Sequence, residues 1–300
     1  MSHLLDLENQ VQSLLPGRST AAGATRRSAL KAALGVGYAA SVLPVMAQTA
    51  VKTSAEGLTA GEVTIDVKGF KMPAYRAMPA GKSNLPVVLV ISEIFGVHEY
   101  IADVARRFAR AGYLAIAPEL FVRQGDAQSY GEIAKLMAEV IAKVPDAQVA
   151  GDLDATLAWA AANGGDMRRV GITGFCWGGR QTWLYTAHSK SIKAGVAWYG
   201  RLVGAETALT PKHPVDIAAQ LNGPVLGLYG EADTGIALDT VDKMKAALAA
   251  GNANSKASQF VIYKDAPHAF HADYRPTYRK EAADDGWARC LAWFKQHGVV

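Results

Sequence analysis

The chain has 300 residues, of which half are hydrophobic and 19% are charged, and its formal net charge at pH 7 is +4. This composition is typical of one large globular domain with an appendage. The weak positive charge, without a long basic run, argues against nucleic acid as a partner. The two cysteines, Cys176 and Cys290, are too few for a disulfide framework or a four-ligand zinc site. We expect neither a metal ion nor a cofactor.

The N-terminal segment is similar to a twin-arginine export signal. Arg26 and Arg27 precede an apolar stretch rich in Ala and Gly over residues 32–45, and small residues predict cleavage after Ala47. The apolar stretch is too short to anchor the protein across a bilayer. The alternative is an amphipathic or disordered extension.

The domain organisation follows from this interpretation. We expect a signal peptide over residues 1–47, a short linker over 48–60 and one domain over 61–300. The precursor would engage the twin-arginine export machinery. The mature protein would not be membrane-anchored, and its location would be periplasmic or secreted, where disulfides form readily.

From residue 61 onward, strand-like and helix-like segments alternate, which is typical of a mostly parallel sheet covered by helices on both faces. The predicted strands are 62–67, 74–78, 86–92, 113–117, 169–173, 194–199, 224–229 and 260–263. The predicted helices are 99–111, two within 127–163 that are separated at Pro145 with Asp146 as N-cap, 178–188, one between 236 and 250, and 277–297. Cys290 falls on the apolar face of the last helix and is predicted to fill the core.

The most specific motif is Gly-Phe-Cys-Trp-Gly over residues 174–178, which follows an apolar run and precedes helix-forming residues. A strand, a tight turn and a helix, with small residues two before and two after a nucleophile, make up the nucleophile elbow of α/β-hydrolases. The flanking glycines are needed because side chains there would collide with the strand and helix packed across the turn. The motif predicts the α/β-hydrolase fold with Cys176 as nucleophile. The alternatives are a buried structural cysteine and a disulfide with Cys290.

A cysteine nucleophile needs a base, and the base needs an acid that orients it. In this fold the order along the chain is nucleophile, acid, histidine, each on a loop at the carboxyl edge of the sheet. Asp233 follows the seventh predicted strand, 57 residues after Cys176, and His268 follows the eighth strand, another 35 residues on. We therefore predict a triad of Cys176, Asp233 and His268. Glu231 is the rival acid and His271 the rival base.

Glu93 is an ionisable residue at the end of a strand that we expect to be buried on both faces. It would face the same sheet edge as Cys176, where a carboxylate could pair with the thiol proton. A helix-capping or surface role is the alternative. In α/β-hydrolases this loop supplies one oxyanion-hole amide and the residue after the nucleophile supplies the other. That rule assigns the backbone N–H groups of Ile94 and Trp177.

These motifs resemble those of the dienelactone hydrolases (carboxymethylenebutenolidases). The similarity covers residues 61–298 and rests on Glu-Ile-Phe-Gly-Val at 93–97, on the cysteine elbow, on the Gly-x-x-Asp loop that ends at Asp233, and on His268 with Phe270 two residues later. The resemblance implies a Cys–Asp–His triad modulated by Glu93. The Glu would hold the resting thiol largely neutral until substrate displaces it, which protects the cysteine from oxidation.

The resemblance also implies that two arginines bind a carboxylate of the substrate. Arg123 lies in the segment similar to the one that bears the first arginine, whereas Ala272 stands in the place of the second. Arg275 and His271 are candidate substitutes, and Tyr199 is a further candidate for substrate binding. The departure at Ala272 concerns the identity of the substrate and leaves ester chemistry intact.

The sequence therefore predicts a hydrolase of lactones or activated esters that forms a thioester on Cys176, with a small-molecule ester or lactone as its partner. One alternative is a broad-specificity carboxylesterase. The other is a non-catalytic α/β-hydrolase scaffold used for binding.

Overall fold

The computed structural model describes residues 51–300; the predicted export signal and its cleavage site lie outside the described residues. The strands of the described part are β1 Leu58–Val67, β2 Phe70–Pro79, β3 Leu85–Ile91, β4 Leu114–Pro118, β5 Gly165–Phe175, β6 Ile192–Trp198, β7 Val225–Gly230 and β8 Gln259–Tyr263. They form one sheet in the order β1-β2-β4-β3-β5-β6-β7-β8. The β1–β2 and β2–β4 pairs are antiparallel, and the other neighbours are parallel.

The α-helices of the described part are α1 Glu99–Arg110, α2 Ile133–Glu139, α3 Asp146–Ala162, α4 Trp177–His188, α5 Pro214–Ile217, α6 Leu238–Ala249, α7 Ala253–Ala257 and α8 Lys280–Gln296. Short 3₁₀ turns lie at Ala127–Ser129, Ile141–Lys143 and Ala218–Gln220. Strand and helix alternate through most of the chain, so the predicted mostly parallel α/β-hydrolase fold is confirmed. The short helices α5 and α7 were not predicted, because segments of four or five residues carry too little periodicity.

The sheet is covered on both faces, as the alternation of side chains along β3 shows. Val88 and Val90 belong to one apolar cluster with residues of α1 and α8, whereas Val87, Leu89 and Ile91 belong to a second cluster with residues of α2 and α3. Successive side chains of a strand point to opposite faces, so these two clusters lie on opposite sides of the sheet. β3 is buried from Pro86 to Ile91, which explains its continuous apolar run.

The N-terminal end of the described chain is attached to the domain. The Thr53 carbonyl accepts a hydrogen bond of 2.9 Å from Arg106 Nε on α1. β1 begins at Leu58, three residues before the expected domain start at residue 61. No helix within residues 51–300 has both the length and the apolar character needed to cross a membrane.

One expectation about an individual residue is wrong. The N-cap of α3 is Pro145, with an extended backbone, and Asp146 is already the first helical residue. Its carboxylate is instead paired with Arg180 across the fold. His213 is only 5% exposed, and its Nε2–H donates a hydrogen bond of 3.0 Å to the carbonyl of Ala205. Asp146 is fixed by a partner 34 residues away, which local patterns do not reveal.

Candidate active site

Cys176 lies at a strained turn between β5 and α4. Its backbone has φ 55° and ψ −113°, a conformation that costs a non-glycine residue free energy and that occurs often at functional sites. A Cβ at Gly178 would lie 2.4 Å from the Ile91 carbonyl oxygen, and one at Gly174 would lie 2.2 Å from the Gly178 oxygen. Both positions therefore require glycine for the reason given by the elbow motif. The turn presents Cys176 at the carboxyl edge of the sheet.

Asp233 and His268 are brought together at the same edge. His268 Nδ1 lies 2.7 Å from Asp233 Oδ2, and both side chains are buried. The other Asp233 oxygen accepts the Gly235 N–H at 2.8 Å, which fixes the carboxylate. Glu231, the rival acid, is exposed and accepts a 3.4 Å hydrogen bond from the Asp265 N–H. The geometry therefore places Asp233, rather than Glu231, against the imidazole.

The second ring nitrogen of His268 is available for chemistry. Within the described chain, His268 Nε2 has no hydrogen-bond partner. Burial disfavours the charged imidazolium, but the Asp233 carboxylate and the neighbouring Cys176 favour it and raise the pKa of His268 to about 10. An imidazole held by a carboxylate on one side and facing a thiol on the other can exchange a proton with that thiol.

A small cavity opens onto Cys176 and His268. Ile94, Trp177 and Tyr199 also line it. Among the described residues, no acceptor takes the backbone N–H of Ile94 or Trp177. Two unpaired N–H groups beside a nucleophile can stabilise a developing oxyanion. We call residues 93–98 the oxyanion loop below.

Tyr199 lies over the histidine at the cavity wall. Its ring is packed edge-on against that of His268, with centroids 5.1 Å apart, and its backbone φ is 39°. The side chain is fully buried, yet its hydroxyl lacks a hydrogen-bond partner within residues 51–300. A buried hydroxyl that lines a cavity can form a hydrogen bond with a polar atom of a bound substrate.

Glu93 is fully buried at the start of the oxyanion loop. Its Oε2 accepts a 2.6 Å hydrogen bond from the Tyr274 hydroxyl and lies 3.8 Å from His98 Nε2. Its Oε1 has no hydrogen-bond partner in the described part of the molecule. Burial opposes ionisation, but His98, the positive charge of Arg275 and the Tyr274 hydroxyl overcome it and lower the pKa of Glu93 to about 2. Glu93 is thus a buried, ionised carboxylate that is fixed by a hydrogen bond from Tyr274.

Arg275 lies close to Glu93 and does not line the cavity beside Cys176. Its Nε donates to the Tyr274 hydroxyl at 3.3 Å, and its guanidinium lies over the ring of Phe95, 5.1 Å from the centroid. Arg275 therefore contacts the oxyanion loop through the ring of Phe95.

Two other predicted substrate-binding residues lie away from the cavity. Arg123 pairs with Asp152 of α3 at 2.6 Å, and its guanidinium lies 4.0 Å from the centroid of the Phe70 ring. His271 is buried, with Nδ1 2.6 Å from the Tyr100 hydroxyl. Burial, together with the positive charge of Arg107, lowers the pKa of His271 to about 3. In these positions both side chains serve the packing of the domain.

Sequence reasoning missed three residues of this region. Arg180 and Arg201 line the cavity, and Tyr274 holds Glu93. Arg180 is held by Asp146 through two hydrogen bonds of 2.7 and 2.8 Å. The position of Arg201, just after β6 at the carboxyl edge of the sheet, was a usable signal.

The second cysteine is part of the core. Cys290 is fully buried, and both thiols are free. Burial raises the pKa of the Cys290 thiol well above its usual range. Cys290 therefore fills space in the α8 contact with the sheet, as its sequence position predicted.

Comparison with known proteins assigns the chain to a family. Residues 72–298 match the model of the dienelactone hydrolase family. A Methylorubrum extorquens protein named "Putative carboxymethylenebutenolidase" is 56% identical over 286 residues, which make up 94% of this chain and 97% of that protein. A Bradyrhizobium protein named "Probable 2-oxo-3-(5-oxofuran-2-ylidene)propanoate lactonase" is 31% identical and covers 78% of this chain and 93% of its own length.

A solved structure is also similar over most of the domain. The crystal structure of a "Putative Dienelactone Hydrolase" from Klebsiella pneumoniae has a TM-score of 0.77 and 57% identity to this chain, and the match covers 80% of this chain and 99% of that one. Sequence and fold therefore agree, and the chain belongs to the dienelactone hydrolase family of hydrolases.

Proposed function

We propose that the protein hydrolyses small lactones or carboxylic esters through a thioester on Cys176. The observation that carries the proposal is the 2.7 Å Asp233–His268 pair, which lies beside a cysteine held in the strained elbow. Nucleophile, base and orienting acid are the three groups that acyl transfer by a thiol requires.

In the first half of the reaction, His268 Nε2 takes the thiol proton and the Cys176 sulfur attacks the substrate carbonyl carbon. The negative charge that develops on the carbonyl oxygen is stabilised by the N–H groups of Ile94 and Trp177. Collapse of the intermediate breaks the ester C–O bond, and the departing alkoxide takes the proton from His268. With a lactone, the released hydroxyl stays on the acyl group.

In the second half, His268 takes a proton from water while the water oxygen attacks the thioester carbon. The C–S bond then breaks, and the Cys176 sulfur recovers its proton from the imidazolium. Asp233 keeps the ring in the orientation that both halves need. Carboxylic acid and alcohol are the products, and no external oxidant or cofactor enters the balance.

The cavity favours an acyl group that carries a negative charge. Arg180 and Arg201 both line it, and its lining includes no acidic side chain. Arg201 follows β6 at the carboxyl edge of the sheet, and we assign to it the contact with a substrate carboxylate. The name of the Bradyrhizobium relative describes a lactone that bears a carboxylate, which is consistent with this assignment.

A broad-specificity carboxylesterase is the second candidate. The pairing of Arg123 with Asp152, and Ala272 in place of an arginine, favour an acyl group that differs from that of dienelactone. A panel of lactones and of neutral and acidic esters separates the two candidates. A marked preference for acidic lactones supports the first.

The test of the proposal is a pair of cysteine variants. Cys176→Ala removes the nucleophile and should abolish turnover of 4-nitrophenyl acetate while the protein stays folded. Cys290→Ala, the matched control, should keep turnover near that of the wild type because Cys290 lies in the core. Trapping an acyl group on Cys176 by mass spectrometry provides the positive evidence. Full activity of Cys176→Ala would exclude the thioester mechanism.

We also propose that the protein works outside the cytoplasm after twin-arginine export. The support is the arginine pair at 26–27, the apolar stretch that follows it, and the small-residue site at Ala47.

A further inference from the structure

Glu119 reaches the oxyanion loop from the neighbouring strand. It follows β4 at the carboxyl edge of the sheet, and its own N–H donates to the Pro73 carbonyl of β2 at 2.9 Å. Its carboxylate Oε2 accepts the backbone N–H of Val97 at 2.8 Å. The main chain of Glu119 is thus fixed to one strand while its side chain holds a loop that follows another.

The loop is shaped to fit this carboxylate. Gly96 has φ +70°, a backbone conformation that glycine adopts without strain. A Cβ at Gly96 would lie 2.4 Å from Glu119 Oε1, so no other residue fits while the carboxylate keeps its place. The Glu119 carboxylate thus occupies the space that a side chain at position 96 would need. Glycine is therefore required at position 96 both by the backbone conformation and by the close approach of Glu119.

The anchored point lies three residues after Ile94. Between the end of β3 at Ile91 and the start of α1 at Glu99, the chain has no regular ladder of backbone hydrogen bonds. We propose that Glu119 is a positioning residue that holds the oxyanion loop through Val97, so that the Ile94 N–H points at the substrate oxygen. This inference rests on the proposed function, which gives the Ile94 N–H its role.

The contact does not need the negative charge of Glu119. Burial, reinforced by the Asp126 carboxylate, raises the pKa of Glu119 to about 7 although the Val97 N–H favours the ionised form. A protonated carboxyl group still offers its carbonyl oxygen to the Val97 N–H. The role assigned to Glu119 depends on the reach of the side chain and on one acceptor atom. Charge and reach can therefore be separated by substitution.

Glu119→Gln and Glu119→Asp form the matched pair. Gln keeps the length and one acceptor oxygen but loses the charge, whereas Asp keeps the charge but is one methylene too short to reach Val97. We expect Glu119→Gln to keep kcat for 4-nitrophenyl acetate within about threefold of the wild type. We expect Glu119→Asp to lose about 10- to 100-fold in kcat with little change in KM, since small displacements of a transition-state donor have effects of this size.

Alkylation of Cys176 by iodoacetamide distinguishes positioning from general damage. This displacement at carbon forms no oxyanion, so Glu119→Asp should be alkylated at the wild-type rate. The proposal is overturned if Glu119→Asp keeps full kcat, if Glu119→Gln is the impaired variant, or if alkylation slows in parallel with turnover. Failure of the proposed function would instead appear as Cys176→Ala retaining activity, whatever the Glu119 variants do.

Discussion

Two buried ionisable groups of the site are shifted in opposite directions by their partners. The pKa of Glu93 is lowered to about 2, so Glu93 is ionised at neutral pH, and the pKa of His268 is raised to about 10, which favours transfer of the thiol proton to the imidazole. The charge of Glu93 is held by Tyr274, His98 and Arg275, and that of His268 by Asp233. Strongly perturbed ionisable groups are typical of a catalytic centre.

A first prediction concerns the charge of Glu93. We propose that the Glu93 carboxylate disfavours the thiolate form of Cys176; Glu93→Gln removes that charge, so the pH midpoint of iodoacetamide labelling of Cys176 should fall by about one unit or more. Turnover should also drop strongly. Tyr274→Phe is the control, because it removes the 2.6 Å hydrogen bond but leaves the carboxylate in place. It should not lower the midpoint. An unchanged labelling profile in Glu93→Gln, with lower thermal stability, would assign Glu93 to loop anchoring.

A second prediction concerns Asp233 and follows from the raised pKa of His268. A histidine with a raised pKa contributes stability below its unfolded-state pKa of about 6.5, and this contribution is lost as pH rises towards the folded value of about 10. Asp233→Asn removes the main source of the shift. The wild type should therefore lose more stability than Asp233→Asn when denaturant midpoints are compared at pH 6.5 and pH 9.5.

Turnover by Asp233→Asn should also fall, because His268 loses the carboxylate that orients its ring and raises its pKa. Glu231→Gln, two residues away in the same loop but exposed, is the matched control and should behave as the wild type. Equal pH dependence in Asp233→Asn and the wild type would contradict the assigned pairing.

At the scale of single elements, the loops after the strands decide what enters the cavity. Arg201 follows β6 and lines the cavity, whereas Arg123 follows β4 and does not line it. The side chain that recognises an acidic acyl group has thus been assigned to a different loop from the one that sequence similarity suggested.

The third prediction tests this assignment with two esters of equal chain length. For mono-4-nitrophenyl adipate, Arg201→Ala should lower kcat/KM by about tenfold or more, because a charge-assisted contact with the carboxylate is lost. For 4-nitrophenyl hexanoate, which ends in a methyl group, the same variant should stay near the wild type. Arg123→Ala should show no difference between the two esters. Equal losses on both esters in Arg201→Ala would assign Arg201 a structural role.

The elements themselves could be predicted because local signals define them. The apolar run of β3, the glycines of the elbow and the alternation of strand and helix depend on residues close in sequence. The partners of Asp146 and Arg123 could not be predicted, since they lie on other elements that only the folded chain brings near. The hydrogen bonds from Tyr274 to Glu93 and from Val97 to Glu119 could not be predicted for the same reason. Chain order located the candidate triad, and tertiary packing located the groups around it.

At the scale of the whole molecule, the placement of the two thiols bears on the compartment in which the protein works. Cys176 is partly exposed, whereas Cys290 is fully buried in the core, so the second thiol cannot readily reach the first. In an oxidising compartment the exposed thiol would face oxidants without a resolving cysteine of its own chain nearby. A buried carboxylate that keeps the resting thiol neutral would therefore protect it from oxidation more there than in the cytoplasm.

The last prediction tests export. Twin-arginine substrates usually cross the membrane folded, so the domain should acquire its activity in the cytoplasm before translocation. Replacing both arginines of the signal, Arg26→Lys with Arg27→Lys, should leave an active, full-length precursor in the cytoplasm, because the transporter recognises the arginine pair. Arg18→Lys is the matched control: it lies in the same N-terminal segment but outside the pair, and it should be exported. Cell fractionation, with 4-nitrophenyl acetate turnover and intact mass measured on each fraction, reports location, folding and cleavage after Ala47 together. Accumulation of the double variant in the periplasm at the level of Arg18→Lys would show that the arginine pair is not an export signal.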